Sequence, residues 1–277
     1  MKKWEILIDL NYMRHYILDI PIDDISDTEL EQILTKWALG FATKIITTPN
    51  PEFILLSRKD KEFKSILQKS DLSLPDGVGL RFAIPALTDH FLKHRQTGVD
   101  LVEKLMQIAT ETKKHLVIVD GLECSGEKIK SQFEQKYPGI NLSVFNPGKI
   151  EIITSESIIK RLHCFNPDIL LVALGQGKQE KFIRDILPEI SSIRIAVGVG
   201  GAFDMLCGLK PRAPFAMRRL GLEWLWRLFI EPLRFSRIFK AVFLFPLIII
   251  SCTLRRHRFL KAIRIVLPEI YRQLTRI

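Results

Sequence analysis

The sequence predicts an α/β protein with a Rossmann-like parallel sheet, helices on both faces of the sheet, and a C-terminal helical appendage that associates with membranes. Short apolar segments alternate with amphipathic segments between residues 44 and 199. Several apolar segments are continuously hydrophobic, which is typical of parallel strands buried on both faces. The third observation is the net charge of +10, which lies entirely in residues 218–277.

The charge asymmetry divides the chain into a neutral body, residues 1–217, and a basic appendage, residues 218–277. The appendage contains 13 Lys and Arg against 3 Asp and Glu, whereas the body contains 28 of each sign. Such a distribution indicates a polyanionic partner, either an anionic lipid surface or nucleic acid. Four scattered cysteines without a Cys-x-x-Cys pair indicate a reduced, intracellular protein and argue against a zinc site. The N-terminus has no long apolar run, so we expect no signal peptide.

The first third of the chain begins irregularly, with β-like runs at residues 5–9 and 16–20. A helix is predicted over 28–39, with Ser26 or Asp27 as its cap. A strand over 44–48 ends at the two prolines of Pro49-Asn-Pro51. The next predicted elements are a helix over 53–70, a strand over 72–74, and helices over 79–92 and 100–112.

A regular strand–helix alternation follows, which predicts βαβ units and a parallel sheet. In such sheets ligands bind at the carboxyl ends of the strands. The turns after the predicted strands, at 48–50, 76–77, 121, 175–179 and 198–204, are therefore expected to converge on one crevice. The predicted strands are 116–119, 141–145, 168–174 and 193–199, and the helices between them are 125–137, 154–164 and 179–187.

The appendage combines a predicted helix over 220–237, a 12-residue apolar run over 241–252 that contains Pro246, and helical spacing over 259–277. Pro268 is expected to kink the last helix. No stretch reaches the roughly 18–20 apolar residues that a spanning helix needs, so the apolar run is interpreted as an interfacial or inserted hairpin. A core helix buried in an oligomer is the alternative.

The turn Leu74-Pro-Asp-Gly77 supplies the candidate catalytic group. Asp76 can act as a general base that accepts a proton from an attacking hydroxyl. The alternative is a structural turn aspartate, because Pro-Asp-Gly is favoured turn chemistry. Thr48 and Asn50 can hydrogen-bond a polar ligand, or simply form the loop that ends a strand.

Known cofactor and metal motifs do not fit. The segments from Gly198 and from Gly175 place Phe203 and Glu180 where a third glycine would complete G-x-G-x-x-G, and the chain has no P-loop. It has no Asp-x-Asp pair of the kind that chelates metals in nucleotide-sugar enzymes. We therefore expect no cofactor and no metal. Without a metal, a departing diphosphate needs cations, and arginine offers bidentate, permanently charged donors. Lipid headgroups are the alternative partners of the appendage arginines.

Seven segments together resemble the WecG/TagA/CpsF family, glycosyltransferase family 26. The resemblance covers residues from about 44 to 237. It implies a Rossmann-like, inverting, metal-independent enzyme that transfers a sugar, often N-acetylmannosamine or its uronic acid, from a UDP donor to a polyprenyl-diphosphate-linked sugar. The segments are Thr48-Pro-Asn-Pro-Glu52, Leu74-Pro-Asp-Gly77, Arg95-Gln-Thr-Gly-Val-Asp-Leu101, Gly175-Gln-Gly-Lys-Gln-Glu180, Val197-Gly-Val-Gly-Gly-Ala-Phe-Asp204, Arg212-Ala-Pro214, and Gly221-Leu-Glu-Trp-Leu-Trp-Arg-Leu228 with Glu231-Pro-Leu-Arg234.

The resemblance assigns roles to individual residues of this chain. Asp76 resembles the catalytic base, and Gly77 belongs to the same substrate-binding turn. Two departures affect the donor site: Gly177 replaces a usual proline, and Asp120-Gly121 replaces a usual Gly-Gly. The residues that resemble donor- or acceptor-binding positions are Thr48, Asn50, Arg95 and Gln179, and those that resemble UDP-diphosphate ligands are Arg227, Arg234 and Arg237.

The predicted protein is thus a peripheral enzyme at the cytoplasmic face of the inner (plasma) membrane, whose tail docks on lipid and also favours a homo-oligomer. Its partners are a UDP-sugar donor and a polyprenyl-diphosphate-linked acceptor, with no nucleic acid. One alternative is the same fold with a UDP-glucose or GDP-mannose type of donor. Others are a basic nucleic-acid-binding α/β protein, which predicts salt-sensitive binding, and a membrane-anchored assembly protein.

Overall fold

The computed structural model describes residues 12–121, 126–147, 156–208 and 210–275. The described chain begins with an antiparallel hairpin of β1 (Met13–Ile17) and β2 (Ile20–Asp24). The strand predicted over 16–20 is wrong, because Leu18 and Asp19 have positive φ values of 50° and 69° and reverse the chain. The β-like run at 5–9 lies outside the described residues.

The centre of the molecule is a six-stranded sheet in which every neighbouring pair of strands is parallel, as predicted. The strands are β3 (Lys44–Thr47), β4 (Leu72–Ser73), β5 (Leu116–Asp120), β6 (Leu142–Phe145), β7 (Ile169–Ala173) and β8 (Ile195–Gly198). Their order in the sheet is β4-β3-β8-β7-β5-β6. Four strands, the short β4 and the apolar β5, β7 and β8, are buried at every position, as expected for parallel strands covered on both faces.

Helices of the body follow most of the predicted positions. Ser26 caps the first helix in a capping box with Glu29, as one of the two predicted caps. The single helix predicted over 53–70 is two helices, because Asp60 accepts a hydrogen bond from the Phe63 N–H and starts a new helix. The helices are α1 (Asp27–Leu39), α2 (Pro51–Ser57), α3 (Lys61–Gln68), α4 (Val78–Leu87), α5 (Gly98–Thr112), α6 (Gly126–Lys136), α7 (Glu156–Phe165), α8 (Lys178–Ile186) and α9 (Ala202–Leu206).

The appendage is more broken at its start than predicted. The helix predicted over 220–237 is interrupted twice. Gly221 adopts a left-handed conformation with φ 75° that ends one helix, and Glu231, with φ −127° and ψ 70°, leaves the helical conformation just before Pro232. The elements are α10 (Phe215–Leu220), α11 (Glu223–Ile230), a 3₁₀ turn (Pro232–Arg234), α12 (Phe235–Phe239), a π turn (Lys240–Leu244), α13 (Phe245–Arg255) and α14 (Phe259–Leu274).

One helix among the described residues, Pro232–Arg255, is long and apolar enough to cross a membrane by its length and composition. This finding corrects the prediction that no such segment exists. That prediction counted only uninterrupted apolar residues, which limited the segment to the 12 residues 241–252 and excluded the flanking turns with Arg237 and Lys240. In the structure the wider π turn at Lys240–Leu244 precedes Pro246, and the helix continues through it. We call Pro232–Arg255 the long helix.

Three hydrophobic clusters make up the core. One lies between the sheet and helices α1, α5, α6 and α9, and a second lies between the sheet and helices α7 and α8. The third joins the hairpin and α2–α4 to Phe245 and Ile249 of α13 and Ala262 of α14. Body and appendage therefore share one core cluster, which fixes the appendage against the helix that follows Asp76.

Candidate active site

The candidate site lies at the carboxyl edge of the sheet. Strands β4, β3, β8 and β7 are consecutive neighbours, and each is followed by one of the turns singled out in the sequence. Parallel strands end at a common edge, so the turns at 48–50, 74–77, 174–177 and 199–201 lie side by side. The turn after β5 at Gly121 is the next one along.

Asp76 lies at the base of this crevice, partly accessible to solvent but enclosed by protein on most sides. Its backbone N–H donates to the Pro49 carbonyl at 2.8 Å, which joins the turns after β3 and β4. Burial raises the pKa of the Asp76 carboxyl, while the nearby Arg95 and Arg227 guanidinium groups and the Gly77 N–H lower it. The net pKa is above the ordinary aspartate value, which favours proton acceptance near neutral pH.

Glu223 is a further charged group beside Asp76 that the sequence did not single out. Its carboxylate accepts a hydrogen bond from Arg95 Nη2 at 3.1 Å, and its charge also raises the pKa of Asp76. Glu223 stands in the quoted Gly221-Leu-Glu-Trp segment, but nothing in that pattern indicated its contact with Arg95. The appendage thus contributes a carboxylate to the crevice as well as arginines.

The three appendage arginines differ in their partners. Arg234 Nε contacts the Glu231 carboxylate at 3.0 Å, and Arg237 contacts the side chains of Glu52 at 2.7 Å and Gln176 at 3.1 Å. Arg227 Nη2 lies 3.7 Å from Met205 Sδ, and among the described residues its buried Nε has no hydrogen-bond partner. Of these three guanidinium groups, Arg227 is therefore the one most free to donate hydrogen bonds to an oxygen ligand.

Lys210 connects the appendage to the turn after β8. Its ammonium lies 2.6 Å from Asp204 Oδ2 and 2.7 Å from Glu231 Oε1, and Glu231 in turn contacts Arg234. Asp204 and Glu231 belong to separate sequence motifs, and neither motif indicates that Lys210 bridges them. This chain of ion pairs holds Arg234 close to the glycine turn, where its Nη2 is 3.7 Å from the position of a Cβ on Gly201.

Gln179 connects two crevice turns from a buried position, with only 2 % of its surface exposed. Its Oε1 accepts the Gly200 N–H at 3.0 Å, and its Nε2 donates to Glu180 Oε1 at 2.7 Å. A side chain at Gly198 would come within 2.5 Å of the Gln179 amide, so only glycine allows this approach. The remaining Nε2 proton of Gln179 is the part of its amide left for a ligand.

The backbone conformation of Gly177 is incompatible with the proline that is usual at this position in the family. Its φ is 83°, a conformation that proline cannot adopt because its ring fixes φ near −65°. The Gly177 N–H donates to Glu180 Oε2 at 2.7 Å, which a proline could not do either. The replacement therefore changes both the path of the turn and its hydrogen bonding.

Thr48 and Asn50 follow β3. Thr48 is nearly buried, and its hydroxyl makes no hydrogen bond with another described residue. Asn50 caps α2, because its Oδ1 accepts the Phe53 N–H at 3.0 Å. The Asn50 carbonyl oxygen thus has a structural role, while its amide NH₂ stays available. No group of three or more His, Cys, Asp or Glu that could hold a metal ion occurs among the described residues.

The Glu180 carboxylate accepts hydrogen bonds within the Gly175–Glu180 turn, and the pKa of this group is unusually high. Burial raises its pKa to about 7, although its hydrogen bonds from Gln179 and Gly177 act in the opposite direction. The folded state therefore binds this proton more tightly than the unfolded state, whose pKa is the ordinary 4.5. Stability from this group falls as pH rises from 4.5 to about 7 and is then constant.

Replacing Glu180 with glutamine is expected to remove that pH dependence. The wild-type free energy of unfolding should decrease by roughly 3 kcal/mol more than that of the variant between pH 5 and pH 8. Urea denaturation at both pH values measures the difference. Equal pH dependence in the two proteins would contradict the raised pKa of Glu180.

Arginines beside the enclosed carboxylate of Asp76, at the carboxyl edge of a Rossmann-like sheet, suit an enzyme that binds an anionic donor. The model of the glycosyl transferase WecG/TagA/CpsF family matches residues 15–259, and the chain belongs to this family. The predicted resemblance is confirmed, and the match extends beyond the residues from 44 to 237 that carried it. The chain is accordingly a glycosyltransferase.

Curated relatives agree with this assignment. The chain is 33% identical over 197 residues to an N-acetylglucosaminyldiphosphoundecaprenol N-acetyl-beta-D-mannosaminyltransferase of Bacillus subtilis (strain 168), which covers 70% of this chain and 74% of the relative. It is 28% identical over 226 residues to the enzyme of the same name from Staphylococcus aureus (strain MRSA252), covering 80% and 87% respectively. The corresponding enzyme of Staphylococcus aureus (strain NCTC 8325 / PS 47) is 27% identical over 226 residues.

Proposed function

We propose that this glycosyltransferase moves an N-acetylmannosamine-type sugar, or a related hexose, from a UDP-sugar to a polyprenyl-diphosphate-linked acceptor, with inversion and without a metal. The observation that carries the proposal is that Asp76, at the carboxyl edge of the sheet, lies close enough to Arg95 and Arg227 for their charges to lower its pKa. The names of the relatives support the sugar and the lipid-linked acceptor, because those enzymes are mannosaminyltransferases acting on N-acetylglucosaminyldiphosphoundecaprenol.

Asp76 acts as the general base in this mechanism. Its carboxylate accepts the proton of the acceptor hydroxyl as the hydroxyl oxygen forms a bond to the anomeric carbon. The bond from that carbon to the diphosphate oxygen breaks on the opposite side, so one displacement inverts the anomeric centre. The raised pKa of Asp76 strengthens its carboxylate as a base, and the charges of the neighbouring arginines favour the ionised form.

Charge that develops on the departing UDP is stabilised by the appendage. Arg227 contacts the diphosphate directly, and Arg234 and Arg237 exchange carboxylate or amide partners for phosphate oxygens. Residues 1–217 and 218–277 therefore form one active site from two parts. The polar groups that orient the donor and acceptor sugars are Thr48, Asn50, Gly77, Arg95 and Gln179.

The appendage also provides the surface that meets the membrane. The long helix exposes one apolar stripe away from the body, and α14 exposes a second one. Basic residues flank both stripes, which suits anionic lipid headgroups. The stripe of the long helix consists of Phe239, Phe243, Leu247, Ile250 and Leu254, and that of α14 consists of Leu260, Ile263, Leu267 and Tyr271.

We place the enzyme on the cytoplasmic face of the inner membrane, and its peripheral orientation there is supported by the packing of the long helix. Phe245 and Ile249 on its inner side are buried against the body in the third core cluster. Crossing the bilayer would remove these side chains from their partners, whereas lying in the interface leaves them in place. The same exposed stripes would account for a homo-oligomer when no membrane is present.

The proposal is tested with purified full-length protein in detergent and a panel of nucleotide sugars. The acceptor is a polyprenyl-diphosphate-linked N-acetylglucosamine, and release of the nucleotide and formation of product are both measured. We expect UDP-N-acetylmannosamine to give the highest kcat/KM. Preference for UDP-glucose or GDP-mannose would support the alternative donor class, and transfer from none of them would refute the proposal.

A further inference from the structure

The family match ends at residue 259, whereas α14 spans Phe259–Leu274. This last described helix has two different faces. Its inner face packs against α4, with Ala262 buried and Val266 in contact with the third core cluster. The same cluster contains Leu80, Ala83 and Ile84 of α4. α14 is therefore a structural partner of the helix that begins immediately after Asp76 and Gly77.

Ion pairs fix α14 at both ends of α4. Arg81, in the first turn of α4, donates from Nε at 3.0 Å and from Nη2 at 2.5 Å to Glu269 Oε1. Asp89, just beyond the end of α4, accepts from Arg258 at 2.9 Å and from Lys261 at 2.7 Å. The two helices thus run antiparallel, and Glu269 lies at the end of α4 that follows the turn of Asp76 and Gly77.

The two ion pairs differ in burial. Glu269 is only 5 % exposed, whereas the side chain of Asp89 is 55 % exposed. Removing one partner of a buried pair leaves an uncompensated charge and has a large effect, while an exposed pair contributes little. We therefore expect the ion pair of Arg81 and Glu269 to set the position of α4 against α14. We expect the exposed ion pairs of Asp89 to contribute little to it.

The start of α4 is tightly packed, and α4 begins at Val78, directly after the turn that holds Asp76 and Gly77. A Cβ on Gly79 would lie 2.7 Å from Pro51 Cγ and 3.5 Å from Phe245 Cε1. A Cβ on Gly221 would lie 2.9 Å from Val78 Cγ2. Because the turn and the helix are continuous backbone, a shift of α4 along its axis moves the turn as well. The ion pair between Arg81 and Glu269 opposes such a shift at this end of α4.

We propose that α14 positions the catalytic turn, and that Glu269 and Arg81 are positioning residues for Asp76. The inference rests on the proposed role of Asp76 as the base. It assigns a role in the reaction to α14, of which only the first residue lies within the part of the chain that the family model matches. Misplacement of a reacting group by about 1 Å can lower the rate by about 10²-fold, so a smaller displacement is sufficient for a measurable effect.

The test compares Glu269→Gln with the matched control Asp89→Asn in the full chain on lipid vesicles. Both changes convert a carboxylate to an amide on the same pair of helices. We expect Glu269→Gln to lower kcat by about tenfold with both KM values within twofold of wild type, because binding groups stay in place. Glu269→Asp, which keeps the charge, should fall between wild type and the glutamine variant. Asp89→Asn should retain kcat within twofold.

Several outcomes would overturn the proposal. A kcat of Glu269→Gln equal to that of Asp89→Asn would show that the buried pair does not position the turn. A rise in both KM values with unchanged kcat would assign Glu269 to substrate binding instead. If Glu269→Gln does not fold, as judged by circular dichroism, then Glu269→Asp decides, and wild-type kcat in that variant overturns the proposal. Wild-type turnover in Asp76→Asn would be a separate result. It would refute the proposed role of Asp76 as the base, and it would not concern the packing of α14 against α4.

Discussion

Replacing Asp76 with asparagine is expected to lower kcat by about 10²–10⁴-fold, the usual contribution of a general base. Asparagine has nearly the same shape but cannot accept the proton of the acceptor hydroxyl. Because the amide still fits the turn, the KM for the donor should remain within a few-fold of wild type. Steady-state release of UDP and equilibrium binding of the donor measure the two effects separately. Turnover like that of wild type would refute the catalytic role.

The stability of this variant provides an internal control. Burial raises the pKa of Asp76, so the folded state disfavours the ionised form, and ionisation lowers stability as pH rises above the ordinary aspartate pKa of 3.8. The asparagine variant lacks this charge, and its melting temperature at pH 7–8 should be equal to or higher than that of wild type. A strongly destabilised variant would mean that Asp76 is mainly a structural residue of the turn.

Replacing Arg227 with alanine is expected to lower kcat by about 10²–10³-fold. This is the usual effect of removing one preorganised hydrogen-bond donor that stabilises negative charge in the transition state. The reason lies in its surroundings. Arg234 and Arg237 already contact carboxylates, whereas the buried Nε of Arg227 has no hydrogen-bond partner among the described residues. Arg227→Ala should therefore have a larger effect than the same change at Arg234 or Arg237. Turnover with saturating donor measures all three.

The control for Arg227 is Arg264→Ala, which removes the same charge from an exposed position on α14. Both variants remove one positive charge from the appendage, so a general effect of the net charge on the proposed membrane docking appears in both. We expect Arg264→Ala to retain kcat within twofold. Equal losses in the two variants would indicate that Arg227 acts through the membrane surface and has no specific contact with the leaving group.

Much of the fold could be predicted from the sequence, because its signals are local. Continuous apolar segments identified the parallel strands, and the positions of the following turns placed Asp76, Gln179 and the glycine turn at one edge of the sheet. The hydrophobic pattern did not distinguish one helix over 53–70 from two. The helical spacing of apolar residues continues past Asp60. Only the N-cap that Asp60 forms for α3 separates the two helices.

The missed parts of the site depend on contacts between distant residues. Glu223 meets Arg95 from a position 128 residues later in the chain. Lys210 bridges Asp204 and Glu231, which the sequence places in different motifs. No spacing rule connects such positions, so charge pairing across the fold was invisible before the structure. The same reason explains why the sequence did not indicate that Glu269 reaches Arg81.

The third core cluster has a consequence for the order of events during synthesis. Leu80 and Ile84 of α4 find their packing partners Phe245, Ile249 and Ala262 only after the ribosome has translated the appendage. Until then α4 has an uncovered apolar side, and such non-local contacts form late because loop closure must precede them. The nascent body would thus be an aggregation-prone intermediate that lacks the appendage arginines. On the proposed function, it would become active only after the appendage has left the ribosomal tunnel.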